Sequence, residues 1–121
     1  MRRILVVDDE ESIRELIKEK LEQSKYEVTT VASGKEVLDI YKTSQPDLIL
    51  MDIAMPEMDG YQTAEELRKD PEAQNIPILF LTGKDLEEES IIERCKGIAK
   101  CGYIPKMFTL EEMLDRIKEY L

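Results

Sequence analysis

Two uninterrupted apolar runs, Ile4-Leu5-Val6-Val7 and Leu48-Ile49-Leu50-Met51, each end in acid: Asp8 and Asp9 follow the first and Asp52 closes the second. A strand with one wet face alternates apolar and polar residues, so runs without a polar member read as strands covered on both faces, the pattern of a parallel sheet. In such a sheet the acids that end the runs emerge together at one edge. Carboxylates crowded this way repel one another and raise at least one pKa unless a cation intervenes. Hard oxygen ligands with room for water suit Mg²⁺, so these residues alone point to a divalent metal.

The rest of the composition narrows the function classes. At 121 residues and 42% hydrophobic content, the chain is expected to form one domain, residues 1–121, with a real core. A formal net charge of -10 repels phosphates and anionic headgroups, so no direct nucleic-acid or membrane binding is expected, and a protein or a metal is the expected partner. Arg2 and Arg3 imitate the start of a signal peptide, but the apolar run behind them ends at Asp8 and no segment approaches membrane-spanning length. A cytoplasmic location is expected. Cys95 and Cys101 are the only cysteines and the chain has no histidine, which argues for free, buried or half-buried thiols over a disulfide framework or a zinc site.

Strand-like and helix-like segments alternate along the whole chain. Residues 4–8 read as a strand, followed by a helix from about Glu10 to Gln23 with Ile13, Leu16, Ile17 and Leu21 at helical spacing. Residues 26–31 form the second strand, and Ser33 to Glu36 has the capping-box pattern of a helix that stops before Pro46. A third strand spans 47–52; a turn-rich loop from Met55 to Gly60 leads into a helix ending near Asp70-Pro71; a fourth strand spans 76–81. After Thr82-Gly83 come an acidic helix with Ile91, Ile92 and Cys95, a short strand around Tyr103-Ile104, and a final helix capped by Thr109 and Glu112. Five βα units with right-handed crossovers make a doubly wound α/β sandwich. Its ligand site belongs outside the carboxyl ends of the strands, where Asp8, Asp9, Asp52, Thr82 and Lys106 all fall.

At this point the residues resemble a known family. Val-Val-Asp-Asp-Glu at 6–10, Met51-Asp52, Met55-Pro56, Met58-Asp59-Gly60, Leu81-Thr82-Gly83 and Tyr103-Ile104-Pro105-Lys106, in that order over the whole chain, are similar to the receiver domains of bacterial two-component response regulators of the chemotaxis-regulator type. The resemblance implies a flavodoxin-like (βα)5 fold with strand order 2-1-3-4-5. It also implies that Asp52 accepts a phosphoryl group from a sensor histidine kinase or phosphotransfer protein. Asp9 directly, Asp8 through water, and the Ala54 carbonyl would join Asp52 around Mg²⁺. A carboxylate attacks phosphorus only when charge on the donor is neutralised, and Mg²⁺ together with Lys106 meets that need while the Thr82 hydroxyl receives the attached group. Thr82 and Tyr103 are the implied switch pair, acting on the face made by the fourth helix, fifth strand and fifth helix and its unknown output partner. Such a domain catalyses only its own phosphotransfer and dephosphorylation and is not otherwise an enzyme.

Three positions depart from the family pattern. Met107 follows Lys106 where proline is usual, so a trans peptide is the default there; Ala54 and Lys84 occupy positions that tune acyl phosphate lifetime; and Ala99-Lys100-Cys101-Gly102 is an unusual turn. That turn, with Lys96, Met107 and Phe108, suggests an apolar and cationic docking patch on an acidic protein. A flavodoxin-type mononucleotide carrier shares the fold, but Asp8-Asp9-Glu10-Glu11 would repel its phosphate. A haloacid dehalogenase-type phosphatase would need Asp-x-Asp after the first strand. A receiver-like binding module that works without phosphorylation is the remaining alternative, as is the choice between a stand-alone regulator and part of a longer one.

Overall fold

In the computed structural model, which describes residues 1–82, 87–105 and 109–121 and only the backbone at Thr82 and Pro105, both acid-terminated runs are strands. The elements alternate as β1 (Arg3–Val7), α1 (Glu11–Gln23), β2 (Glu27–Val31), α2 (Gly34–Ser44), β3 (Leu48–Asp52), α3 (Gly60–Arg68), β4 (Ile78–Thr82), α4 (Glu88–Lys96), β5 (Cys101–Pro105) and α5 (Leu110–Tyr120). The strands pair in parallel in the order β2-β1-β3-β4-β5. The doubly wound sandwich and its strand order are as expected.

Strand periodicity sorts the core into two layers. Ile4, Val6, Leu48, Leu50, Leu79, Leu81 and Ile104 face Ile17 and Leu21 of α1 and Met113 and Ile117 of α5. The intervening Leu5, Val7, Ile49, Met51, Ile78 and Phe80 face Val37 and Tyr41 of α2, Tyr61, Ala64 and Leu67 of α3, and Ile91 of α4. Each strand thus contributes side chains to both layers, which explains why β1 and β3 have no polar member before their acids. Leu16 departs from expectation, for it is 53% exposed. The stripe Ile13-Ile17-Leu21 faces the sheet at four-residue spacing, and Leu16 is about 100° further round the helix.

Local chemistry sets the element ends. β4 starts two residues later than the composition suggests, since Pro77 has no N–H for the ladder; its carbonyl instead accepts from Ile49 N at 2.9 Å. Ser33 caps α2 by accepting from Glu36 N at 3.2 Å, and Thr109 caps α5 by accepting from Glu112 N at 3.1 Å. The reciprocal capping box belongs to α3. There Asp59 Oδ1 accepts from Gln62 N at 2.8 Å while Gln62 Oε1 accepts from Asp59 N at 2.9 Å. The Asp-x-x-Gln pattern straddles the boundary between the expected loop, which ends at Gly60, and the helix that follows it. At the far end of the sheet the Tyr41 hydroxyl donates to Asp70, which pushes the Tyr41 pKa up to about 12 and holds the Asp70 carboxyl below its ordinary value. No helix among the described residues is long and apolar enough to cross a membrane.

Candidate functional site

The register of β1 on β3 pairs Val7 with Met51, so the next residues, Asp8 and Asp52, stand level at the carboxyl edge. This edge lies where the strand order reverses, β2 having gone to one side of β1 and β3 to the other. Asp8 is fully buried, Asp52 is 3% exposed, and Asp9 faces solvent. One carboxylate oxygen from each of Asp8, Asp9 and Asp52 falls within 4.8 Å of the others. That spread accommodates the roughly 3 Å and 4 Å ligand separations of an octahedral Mg²⁺ shell. The donor set is all oxygen and all acidic, with one member open to water, which fits a hard divalent cation and suits neither zinc nor a soft metal.

Backbone bonds hold the acids where they are. Asp8 N donates to Val31 O at 3.2 Å, which extends the β1–β2 pairing by one residue. Asp8 Oδ1 accepts from Glu10 N at 2.9 Å, and Arg14 Nη1 donates to the Asp8 carbonyl at 2.8 Å. The first turn of α1 therefore grips Asp8 from below, and Asp9 is left pointing to the crevice mouth. Arg14 is a positioning residue that its place in an ordinary amphipathic helix did not reveal.

The loop after Asp52 is equally constrained. Met55 N donates to Ile53 O at 3.1 Å and Met58 N to Pro56 O at 2.8 Å, two three-residue turns centred on Ala54 and Glu57. Glu57 takes φ 67°, on the left-handed side. Gly60 N closes the loop on Ile53 O at 2.8 Å. Ala54, at the first turn, is exposed beside the acid cluster. Gly60 has a definite steric reason, because a Cβ there would meet the Asp52 carbonyl oxygen at 2.5 Å and Ile53 Cα at 3.0 Å. Gly60→Ala is expected to lose about 1–3 kcal/mol of stability in denaturant titration, the cost of pushing α3 off the end of β3.

The remaining expected residues are placed in part. Thr82 ends β4 and pairs in register with Pro105. Its side chain, and with it Gly83, Lys84, Lys106, the Lys106-Met107 peptide and Phe108, lies outside the described residues. Tyr103 is on β5, half-buried against the core, and its hydroxyl donates to Glu88 Oε1 in the first turn of α4. That bond and burial push the Tyr103 phenol above its ordinary pKa. The crossover from α4 to β5 gives Glu88 this partner, a pairing without local sequence signal. Arg116 of α5 donates to the Tyr103 carbonyl at 3.1 Å, so helices on both faces hold the same residue of β5. Cys101 is a half-buried free thiol, as expected. It turns into the α2–α3–α4 layer beside Cys95, although Lys96 and Lys100 are exposed.

Comparison with known proteins follows the same geometry. A family model described as the response regulator receiver domain matches residues 4–118. Response regulator MprA of Mycolicibacterium vanbaalenii is 37% identical over 121 residues, covering 98% of this chain and 50% of that protein. The chain thus spans about half the length of the curated relatives it matches. Among solved structures, chemotaxis protein CheY4 of Vibrio cholerae superposes with a TM-score of 0.91 at 30% identity, covering 100% of this chain and 99% of that one. Response regulator protein TrrA of Thermotoga maritima, solved in complex with Mg²⁺-BeF, gives 0.85 at 35% identity with 100% of both chains covered.

Proposed function

The chain belongs to the response regulator receiver domain family, and from that premise we propose that Asp52 is its phosphoacceptor and that Asp8, Asp9, Asp52 and the Ala54 carbonyl hold Mg²⁺. The observation that carries this reading is the convergence of one oxygen each from Asp8, Asp9 and Asp52 within 4.8 Å at the strand-order reversal. When bound, Mg²⁺ supplies charge neutralisation at the phosphoryl oxygens. Asp52 supplies the nucleophile: a carboxylate oxygen forms a bond to phosphorus as the donor's phosphorus bond breaks, giving an acyl phosphate. The burial of Asp52 keeps bulk water from the product, and Asp8, gripped by α1, holds the negative wall against which the cation is drawn. Lys106 is the expected cation on the transferred group, and the Thr82 hydroxyl its expected donor once attached.

The phosphoryl source in this reading is a phosphohistidine on a sensor kinase or phosphotransfer protein. The output is a change in protein binding at the α4–β5–α5 face. The bond from Tyr103 to Glu88 gives that change a concrete contact to break, since a Tyr103 side chain that swings inward behind Thr82 must release α4. The relatives' greater length supports an output segment in the proteins they represent, and the site chemistry here supports self-catalysed transfer and hydrolysis without further enzymatic activity.

Intact-mass measurement with a small phosphodonor tests the proposal. One phosphoryl group per chain is expected in Mg²⁺ and almost none in a chelator, with Asp9→Ala losing on the order of tenfold or more in rate, as removal of a metal ligand requires. Absence of labelling in Mg²⁺, or labelling indifferent to both chelator and Asp9→Ala, would overturn it.

A further inference from the structure

The only two cysteines of the chain meet across the α4–β5 junction. Cys95 is in the last turn of α4 and Cys101 begins β5; Cys101 Sγ donates to Cys95 Sγ across 3.5 Å. The turn between them is well held. Gly97 N donates to Arg94 O at 3.2 Å, Ile98 N to Cys95 O at 3.1 Å, and Ile78 N to Lys100 O at 3.0 Å, while Lys100 takes the left-handed φ of 53° that swings the chain into β5. Arg68 reaches over from α3 to donate to Ala99 O at 2.9 Å. The thiols are therefore presented to each other by the fold and do not meet by chance motion of a loose loop.

We propose that Cys95 and Cys101 form a redox-sensitive dithiol, a modification site that oxidises to an intramolecular disulfide and clamps the last turn of α4 to β5. A disulfide bond is about 2.05 Å long, so closure asks the sulfurs to approach by about 1.5 Å, within the reach of side-chain rotation at a helix end. The two positions have distinct parts. Cys95 accepts the thiol hydrogen bond, which holds its pKa below the ordinary thiol value; Cys101, as donor and more deeply placed, is raised. Attack by Cys95 with resolution by Cys101 gives the same disulfide as the reverse order.

With hydrogen peroxide as oxidant the steps balance. The Cys95 thiolate attacks a peroxide oxygen and the O–O bond breaks; with one proton taken up, this gives Cys95 sulfenic acid and water. The Cys101 sulfur then attacks the sulfenic sulfur, forming the S–S bond and expelling the hydroxyl, which leaves as water with the Cys101 proton. Two thiols are oxidised, one peroxide is reduced, and two waters form. An external dithiol reverses the change by thiol–disulfide exchange.

The consequence is mechanical. Cys95 lies two turns beyond Glu88 on the same helix, and Glu88 holds Tyr103 of β5, so the disulfide would fasten the far end of a helix whose near end is tied to the same strand. Oxidation would restrain α4 whether or not Asp52 is modified, and the inference stands independently of the phosphoacceptor reading.

The test uses the reduced, unphosphorylated chain. After a few equivalents of hydrogen peroxide, alkylation under denaturing conditions is expected to add no groups to the monomer, against two per chain before oxidation. Nonreducing peptide mapping should join the Cys95 and Cys101 peptides. Cys95→Ser and Cys101→Ser should each lose that product entirely. Retention of two alkylatable thiols, disulfides only between chains, or independent oxygen addition to each sulfur would overturn the proposal. Amide exchange from Ile92 to Lys96 should slow about tenfold on oxidation; unchanged exchange would overturn the clamp.

Discussion

Asp52→Asn is expected to abolish phosphoryl uptake, reducing labelling by a small phosphodonor at least about 100-fold while leaving the folded state intact. The carboxamide matches the carboxylate in shape, so the buried end of β3 keeps its packing. It has no anionic oxygen to attack phosphorus and cannot form an acyl phosphate. Asp52 is the member of the cluster for which substitution removes the nucleophile itself. Asp8 is buried beneath the crevice with Oδ1 engaged by Glu10 N, and Asp9 is exposed at its mouth. Intact mass and peptide mapping read the result, with circular dichroism confirming the fold. Equal labelling of wild type and variant would remove Asp52 from its proposed role.

The largest stability loss outside the apolar core is expected from Arg68→Ala. Arg68, the last residue of α3, donates from Nε to Ala99 O at 2.9 Å, from Nη1 to Ala73 O at 2.6 Å, and from Nη2 to Ile76 O at 2.7 Å and Lys100 O at 3.5 Å. One planar fork thereby ties the α3 end to the turn before β4 and to the turn before β5. Burial pushes its pKa below the ordinary arginine value, the mark of a cation held by neutral carbonyls. Truncation strands two part-buried acceptors, the Ala73 and Ile76 carbonyls, at about 1 kcal/mol or more each, and removes two exposed bonds worth less, so a loss of about 3 kcal/mol and roughly 10 °C in Tm is expected. Arg68→Lys should recover less than half, because an ammonium cannot span the same fork. Denaturant and thermal unfolding check both; a loss under about 0.5 kcal/mol in Arg68→Ala would show that water replaces the guanidinium without cost.

Both expectations depend on different kinds of legibility. Asp52 could be read directly: an acid at the end of a fully apolar run has to emerge at the strand's carboxyl edge, and parallel pairing puts all such ends on one side. Arg68 could not, because on an amphipathic helix a terminal arginine is expected to be solvated, and nothing nearby in sequence announces carbonyls as distant as Ala99 and Lys100. The same holds for Glu88, which an acidic first helical turn leaves without a sequence-visible partner and the fold pairs with Tyr103. The α3 capping box was legible in Asp59 and Gln62 but hidden by the turn-forming residues before it. Lys106, Met107 and the Thr82 side chain, which the sequence singled out, lie outside the described residues.

What the chain's sequence determined by itself was the alternation of buried strands and amphipathic helices, the parallel sheet, and the convergence of Asp8, Asp9 and Asp52. These follow from periodicity and strand polarity, which are local properties repeated along the chain. What only the tertiary structure decided was which half-exposed groups found one another: Tyr103 with Glu88, Arg14 with the Asp8 carbonyl, Arg68 with two turns, and Cys95 with Cys101. Hydrogen bonds and thiol contacts form or fail over less than an ångström, and that distance is set by how each crossover seats its helix on the twisted sheet, a geometry that no single segment encodes.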